Sequence, residues 1–232
     1  MSDTKSVNVD IKALLESGAH FGHKTSRWHP KMAPYIHSKR GEAHIINLEK
    51  TVEALEVALP VLTNLSKSGK KVLFVGTKKQ AKGLVKSAAE SVEMPYVVER
   101  WVGGTLTNVT TINRQIKKLK DLERRMASGE LEMRYSKLEV QRFQEEIDLL
   151  NTRYGGIKDM TEQPACIIVT DAIIDKNAIK EANTLKIPVI ALCDTNVDPT
   201  NITYPVPCND DSIKALELML DYFVEAIKAG KK

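Results

Sequence analysis

The sequence predicts an α/β fold, a three-layer sandwich around a parallel sheet, with an antiparallel helical hairpin inserted into it. Three observations lead there. Short β-branched apolar runs alternate with helical periodicities through the first hundred residues. From about Thr111 to Tyr154 that rhythm stops, and apolar side chains recur at spacings of three and four with no strand between them. After Gly155-Gly156 the alternation resumes.

The elements follow in order. Asp10 to Ser17 reads as a short helix with Asp10 as cap and Gly18 as stop. His20 to Arg40 reads as a basic loop sprinkled with aromatics, and Ala43 to Asn47 as a short buried strand. Glu49 to Ser68 has a helical stripe (Val52, Leu55, Leu59, Leu62, Leu65), with a kink or break expected at Pro60 and an end at Gly69. Lys71 to Gly76 is a buried strand, Lys78 to Ser91 a helix, and Pro95 to Val98 strand-like.

Two long helices come next, joined at Ser128-Gly129. The first carries Ile112, Ile116, Leu119 and Met126; the second carries Leu131, Tyr135, Leu138, Val140, Phe143, Ile147, Leu150 and Tyr154, with a change of phase near Leu138. These spacings match an antiparallel coiled-coil seam. Beyond it, Ala165 to Thr170 is a strand, Lys176 to Leu185 a helix and Ile187 to Cys193 a strand. Tyr204 to Pro207 is confined to a sheet edge by its two prolines. Asn209 to Ala229 is the last helix, with Asn209 or Asp210 as cap and Gly230 past its end. Residues 1–106 and 155–232 thus form the α/β unit, and 107–154 the insertion.

An apolar fraction of 42% over 232 residues is enough for a real core. No apolar run approaches a membrane span, and the polar start from Met1 to Asp10 lacks the core of a secretory signal. Three widely spaced cysteines (Cys166, Cys193, Cys208) make neither a disulfide framework nor a zinc ribbon, which favours a reducing cytosol. Charge is unevenly spread. Residues 1–155 carry 26 Lys/Arg against 18 Asp/Glu, whereas residues 156–232 carry 8 against 12. The front of the chain therefore favours a polyanion.

That bias concentrates in three places. Between Glu16 and Glu42 there is no acid, while Lys24, Arg27, Lys31, Lys39 and Arg40 are interleaved with Phe21, Trp28 and Tyr35. Cations for phosphates and flat rings for bases are what RNA binding asks for. A solvated basic loop around a buried Trp is the plainer alternative. His20, His23 and His29 also suggest a metal, but no cysteine is close in sequence and the cationic surroundings oppose a divalent ion. A second acid-free run holds Lys67, Lys70, Lys71, Lys78, Lys79, Lys82 and Lys86. Gly76-Thr77-Lys78-Lys79 lies where a strand meets a helix N-terminus, a place suited to anions, yet no phosphate-loop or dinucleotide motif is present. A solvated or phosphate-facing lysine rim is the expectation.

The third place is the hairpin. Its first helix has Arg114, Lys117, Lys118, Lys120, Arg124 and Arg125 against Asp121 and Glu123; its second has six acids between Glu130 and Asp148. Charge compensation across the seam and a basic edge that reaches RNA both account for this, and an arm can do both. Catalytic signatures are missing: there is no G-x-S-x-G, H-E-x-x-H or Cys-x-x-Cys. Asp194, Asp198, Asp210 and Asp211 are a possible cation cluster, but turn and cap roles suffice for them.

Three blocks of the chain resemble bacterial small-subunit ribosomal protein S-two. The first runs from Gly18 to Ile36 (GAHFGHKTSRWHPKMAPYI) and continues at His44 to Thr51. The second is Arg100 to Asn108 with Thr111-Ile112. The third is Gly155 to Met160, with Ile187-Pro-Val, Asp194 to Pro199, Tyr204 to Pro207 and Asn209 to Asp211. The likeness covers nearly the whole chain. It implies a flavodoxin-like sandwich with a coiled-coil hairpin, a place between the head and body of the small subunit, contact with its ribosomal RNA, and help in recruiting ribosomal protein S-one. No enzyme activity, cofactor, membrane or small-molecule substrate is expected, and the location implied is the cytoplasmic ribosome. Carried over by position, the basic motif is Lys24, Arg27, Trp28 and Lys31, and His29 is added as a candidate RNA contact with the first-helix cations Arg114, Lys117, Lys118, Lys120, Arg124 and Arg125. Arg100, Trp101, Gly103 and Gly104 are read as a structural junction at the hairpin root. The chain departs from the family where Asn47 replaces a usual Asp, Cys208 a usual Gly, and Glu99 a usual Asn or His; its Ser38 to Ala43 loop is also shorter.

Overall fold

The computed structural model describes residues 8–231; most of the polar start, Met1 to Asp10, lies outside them. Its centre is a five-stranded, all-parallel sheet. The strands are β4 (Val72–Val75), β5 (Tyr96–Val97), β6 (Cys166–Val169), β7 (Val189–Cys193) and β8 (Tyr204–Pro207), in the spatial order β5-β4-β6-β7-β8. Counted within the sheet this is 2-1-3-4-5, the flavodoxin-like doubly wound order, whose topological switch point lies between β4 and β6. The Pro205 and Pro207 strand stands at an edge, as expected from the missing N–H donors.

Alternate residues of each strand enter opposite layers. Val72, Phe74, Ile168, Ile190 and Val206 pack under α2 (Leu48–Lys67), α3 (Lys82–Ser91) and α8 (Ile213–Lys231). Leu73, Val75, Ile167, Val169 and Ala191 enter the other layer, with α7 (Lys176–Thr184) and Trp101, and the apolar stripes of α4 (Val109–Ala127) and α6 (Lys137–Tyr154), which pack on each other, continue that cluster. Three layers result, and strands buried on both faces explain their unbroken apolar runs. Among the described residues no helix is long and apolar enough to cross a membrane.

Several boundaries differ from the expectation. The segment from His20 to Arg40 is not a loop: it holds β1 (Phe21–Lys24) and β2 (Ile36–Arg40), which flank β3 (Ala43–Ile46) in a separate antiparallel sheet. Neither flanking strand shows apolar alternation, because β2 is exposed along nearly its whole length. Asn47 caps α2 through its side chain instead of ending β3. Pro60 leaves α2 unbroken; it faces solvent, the side on which a helix carbonyl that lacks its N–H donor is open to hydration. The helix after β4 starts at Lys82 rather than Lys78, since residues 78–81 form a turn.

The helix expected from Leu131 to Tyr154 is two pieces. Glu130–Arg134 (α5) is separated from α6 at Tyr135-Ser136, where the Glu139 carboxylate accepts from Ser136 N–H and Oγ–H. That break is the physical basis of the phase change near Leu138. Gly129 joins α4 to α5 at φ +71°, a conformation glycine adopts freely. Gly230 is a correction of another kind. It lies inside α8, and a Cβ there would stand 2.3 Å from the Thr63 carbonyl oxygen, so its role is close helix contact and not termination.

Candidate nucleic-acid interface

The basic N-terminal segment is docked onto the C-terminal end of the parallel sheet. His23 N–H donates to Asp194 Oδ1 and Thr195 Oγ1 at 3.1 and 2.9 Å, and His29 N–H donates to the Thr195 carbonyl at 2.7 Å. Gly22 permits this approach, because a Cβ there would fall 2.6 Å from the Thr195 methyl. The histidine ring of residue 23 lies 2.9 Å from Asp194 Oδ2 and 3.6 Å from Asp211 Oδ2. Its bond to Asp194 raises its pKa, against the opposing effect of burial.

Docking consumes part of the charge that distinguished the segment. Lys31 Nζ lies 2.9 Å from Asp198 Oδ2, and Lys24 Nζ lies 3.2 Å from Glu42. Asp198 also accepts from Thr200 N–H and Oγ–H, so its turn-capping role is realised; Thr200 and Lys31 together hold its carboxyl well below the usual range. Arg27, Lys39 and Arg40 remain exposed and, among the described residues, have no carboxylate at ion-pair distance. Lys39 and Arg40 stand at the β2–β3 turn, registered against His44 and Ala43. Phe21 and Trp28 are exposed at 49% and 38%, and the Trp28 ring rests 5.2 Å from that of His44. This small sheet is therefore a cationic surface with two accessible aromatic faces.

The hairpin divides in the same way. Lys118 pairs with Glu146 across the α4–α6 contact, Lys120 with Asp159, Arg124 with Asp121, and Arg125 with Glu130. Arg114 and Lys117 are exposed on α4 and pair with no described carboxylate. Two of these pairs, Lys118–Glu146 and Arg125–Glu130, join α4 to the acids that follow it, while Lys120 and Arg124 are engaged elsewhere. Of the nine cations proposed from sequence, Arg27, Arg114 and Lys117 have no ion pair among the described residues.

At the switch point of the main sheet the expected lysine rim is also revised. Lys78 is only 12% exposed and binds Asp171, Asp210 and Asp211 at 3.2, 2.8 and 2.7 Å. Burial opposes its charge, but the bonds to Asp210 and Asp211 outweigh that and raise its pKa. Burial and the neighbouring Asp171 push the Asp210 carboxyl up to about 7. Thr77 N–H and Oγ–H are taken by Asp175, and a Cβ at Gly76 would meet Thr170 and Val85 at 2.6 Å. The crevice where open α/β sheets bind ligands is thus filled by the chain's own groups. Asp210 serves in this cluster and does not cap α8; Asn209 accepts from Asp211 and Ser212 N–H ahead of that helix. His20 and His29 do not join His23 in a triad. The donor groups the fold brings together are those of His23, Asp194 and Asp210, within 4.8 Å of one another.

The loop ahead of α4 is organised by a residue that sequence reasoning missed. Glu181, midway along α7, accepts from Trp101 Nε1 (3.0 Å), Gly104 N–H (2.8 Å), Leu106 N–H (3.0 Å), and Thr107 N–H and Oγ–H (3.2 and 3.1 Å). Despite partial burial, these donors lower its pKa. Gly104 turns at φ +88° to present its N–H, whereas Gly103 faces open space. One carboxylate on one helical turn gives no periodic or compositional signal, so only the fold reveals it. Cys208 is buried without positive φ, so its side chain is no strain.

A family model described as Ribosomal protein S2 matches residues 14–230. The chain belongs to the ribosomal protein S2 family. Among similar proteins, a small ribosomal subunit protein uS2 of Fusobacterium nucleatum is 45% identical over 224 residues, covering 97% of this chain and 91% of the relative. Proteins of the same name from Coprothermobacter proteolyticus and Karelsulcia muelleri are 45% and 43% identical, covering 97% and 94% of this chain and 83% and 98% of theirs. The S2 family is one of structural, non-enzymatic ribosomal components. Gly22, His23 and Asp194-Thr195, which belong to the blocks that carry the resemblance, make the contacts that fasten the small sheet to the large one.

Proposed function

We propose that this chain binds small-subunit ribosomal RNA through two free cationic surfaces: Arg27, Lys39 and Arg40 on the small sheet, and Arg114 and Lys117 on α4. The carrying observation is that these side chains are exposed and lack an ion pair among the described residues, while Lys24, Lys31, Lys118, Lys120, Arg124 and Arg125 face the chain's own carboxylates. A free ammonium or guanidinium displaces RNA counterions without first breaking an internal bond. Phe21 and Trp28 supply stacking faces beside the first surface.

In this reading residues 107–154 act as a projecting coiled-coil arm on the α/β unit formed by 1–106 and 155–232. Trp101, Gly104 and Glu181 fix its root, with Arg100 and Gly103 in the same loop. The chain lies between the head and body of the cytoplasmic small subunit, contacts neighbouring proteins and supports recruitment of ribosomal protein S-one. At the far end of the arm Met133 and Leu138, 85% and 61% exposed, suit a protein neighbour better than phosphate. The test is co-sedimentation with small subunits on gradients. The combined variant Arg27→Glu, Lys39→Glu, Arg40→Glu, Arg114→Glu, Lys117→Glu is expected to stay at the top while keeping a native circular dichroism spectrum. Full incorporation of that variant would refute the proposal.

A further inference from the structure

Two adjacent isoleucines, Ile173 and Ile174, stand 45% and 51% exposed just beyond the C-terminal end of β6. Their turn is fixed from beneath. Asp171, buried and 3.2 Å from Lys78 Nζ, accepts from both of their N–H groups through Oδ1, at 2.9 and 2.8 Å. Asp175 N–H closes the turn on the Asp171 carbonyl at 3.1 Å. Neither isoleucine belongs to the cores on the two faces of the sheet. A lone exposed isoleucine is ordinary, but a pair held outward by a buried carboxylate is preorganised for contact.

Ile173 is one wall of a groove of about 610 Å³ between α7 and the Pro199–Asn201 turn. Buried Ile179, Val197 and Ile202 line it. Asn183 Nδ2 donates to the Asn201 carbonyl at 2.8 Å and ties its two sides together. Lys176 and Lys180 stand on the α7 side, one turn apart and so about 6 Å from each other along the axis. Both are exposed and have no carboxylate at ion-pair distance among the described residues. The acid on the other side, Asp198, is already taken by Lys31 and Thr200.

The groove is thus an apolar strip bordered by two unanswered ammonium groups. No aromatic ring lines it, so nucleic-acid bases find nothing flat to stack on, and a phosphate set against its aliphatic walls would lose water without gaining a donor. A second copy of this chain docked groove to groove would set four lysines against one another. Aliphatic side chains to cover the strip, with carboxylates to meet Lys176 and Lys180, complement both properties.

We propose that this groove is a docking site for a short aliphatic segment bearing Asp or Glu, supplied by a neighbouring protein of the small subunit. The inference rests on the reading of the chain as part of the assembled subunit, but it concerns neither of the cationic surfaces assigned to RNA.

The test places a photoreactive benzophenone side chain at position 174, beside the groove and outside its lining, and irradiates gradient-purified small subunits that contain the labelled chain. The crosslink is expected on one small-subunit protein, within a stretch that carries aliphatic residues together with Asp or Glu. Crosslinking to ribosomal RNA, to a second copy of this chain, to a protein stretch without acids, or to nothing overturns the docking site and leaves the RNA-binding reading in place. Absence of the unlabelled wild-type chain from the subunits overturns both. In the labelled chain, Lys176→Glu with Lys180→Glu is expected to lower the crosslink yield about tenfold or more, because the partner's acids then meet like charge. Lys176→Arg with Lys180→Arg should preserve the yield, and melting temperatures should match across the three chains. An unchanged yield after charge reversal overturns the proposal.

Discussion

Replacing Glu181 tests how the segment leading into α4 is held. Its carboxylate accepts five hydrogen bonds from the segment Trp101–Thr107. A bond to a charged group contributes about 1.5–3 kcal/mol when its loss leaves a donor stranded. Glu181 is half-buried, so water replaces some of the five, and Glu181→Ala is expected to cost about 3 kcal/mol. Glu181→Gln keeps one acceptor oxygen and turns the other into a donor facing N–H groups, with an expected cost of about 2 kcal/mol. The assay is urea denaturation joined to amide hydrogen exchange. Gly104, Leu106 and Thr107 should exchange faster in both variants, while the β6 and β7 amides change only with global stability. Acidity gives a second check. The folded-state pKa of Glu181 is lowered, so its contribution is present above about 4.3 and lost as pH falls through the folded value. Unchanged midpoints and unchanged exchange at these three amides would refute the junction argument.

Three other outcomes follow from the same geometry. Gly230→Ala forces a methyl against the Thr63 carbonyl and should lower stability by about 2–3 kcal/mol, seen as a fall in melting temperature with native spectra retained. Lys78→Met strands Asp171 and Asp210 and should cost about 3 kcal/mol at pH 8, and less at pH 5.5, where Asp210 takes up a proton. The wild-type chain itself should be more stable at pH 5.5 than at pH 8. Asp210 is raised from about 4 when unfolded to about 7 when folded, and His23 is also raised, so both contributions are lost as pH climbs. Thermal melts across that range measure the effect, and Asp210→Asn should flatten it.

Periodicity made the main sheet legible, because its strands are buried on both faces and read as continuous apolar runs. The antiparallel sheet was hidden for the opposite reason: β2 is exposed, and a strand without a buried face leaves no alternation. Gly230 shows the limit of local signals. A glycine near a helix end resembles a stop until the packing partner, Thr63 on α2, is known. The electrostatic pattern was legible in outline only. Composition located the cations, but the pairing of Lys31 with Asp198 and of Lys78 with Asp210 spans well over a hundred residues. The acidic back of the chain partly neutralises the basic front. Free and engaged cations can be separated only in three dimensions.

The salt dependence of binding to small subunits lacking this protein compares those two classes most directly. One variant neutralises the free set, Arg27→Gln, Lys39→Gln and Arg40→Gln; the other neutralises a paired set, Lys24→Gln, Lys118→Gln and Lys120→Gln. The first should flatten the slope by about 2 and weaken binding at low salt, and the second should leave the slope close to wild type. Equal flattening by both sets would contradict the distinction between free and internally paired charge.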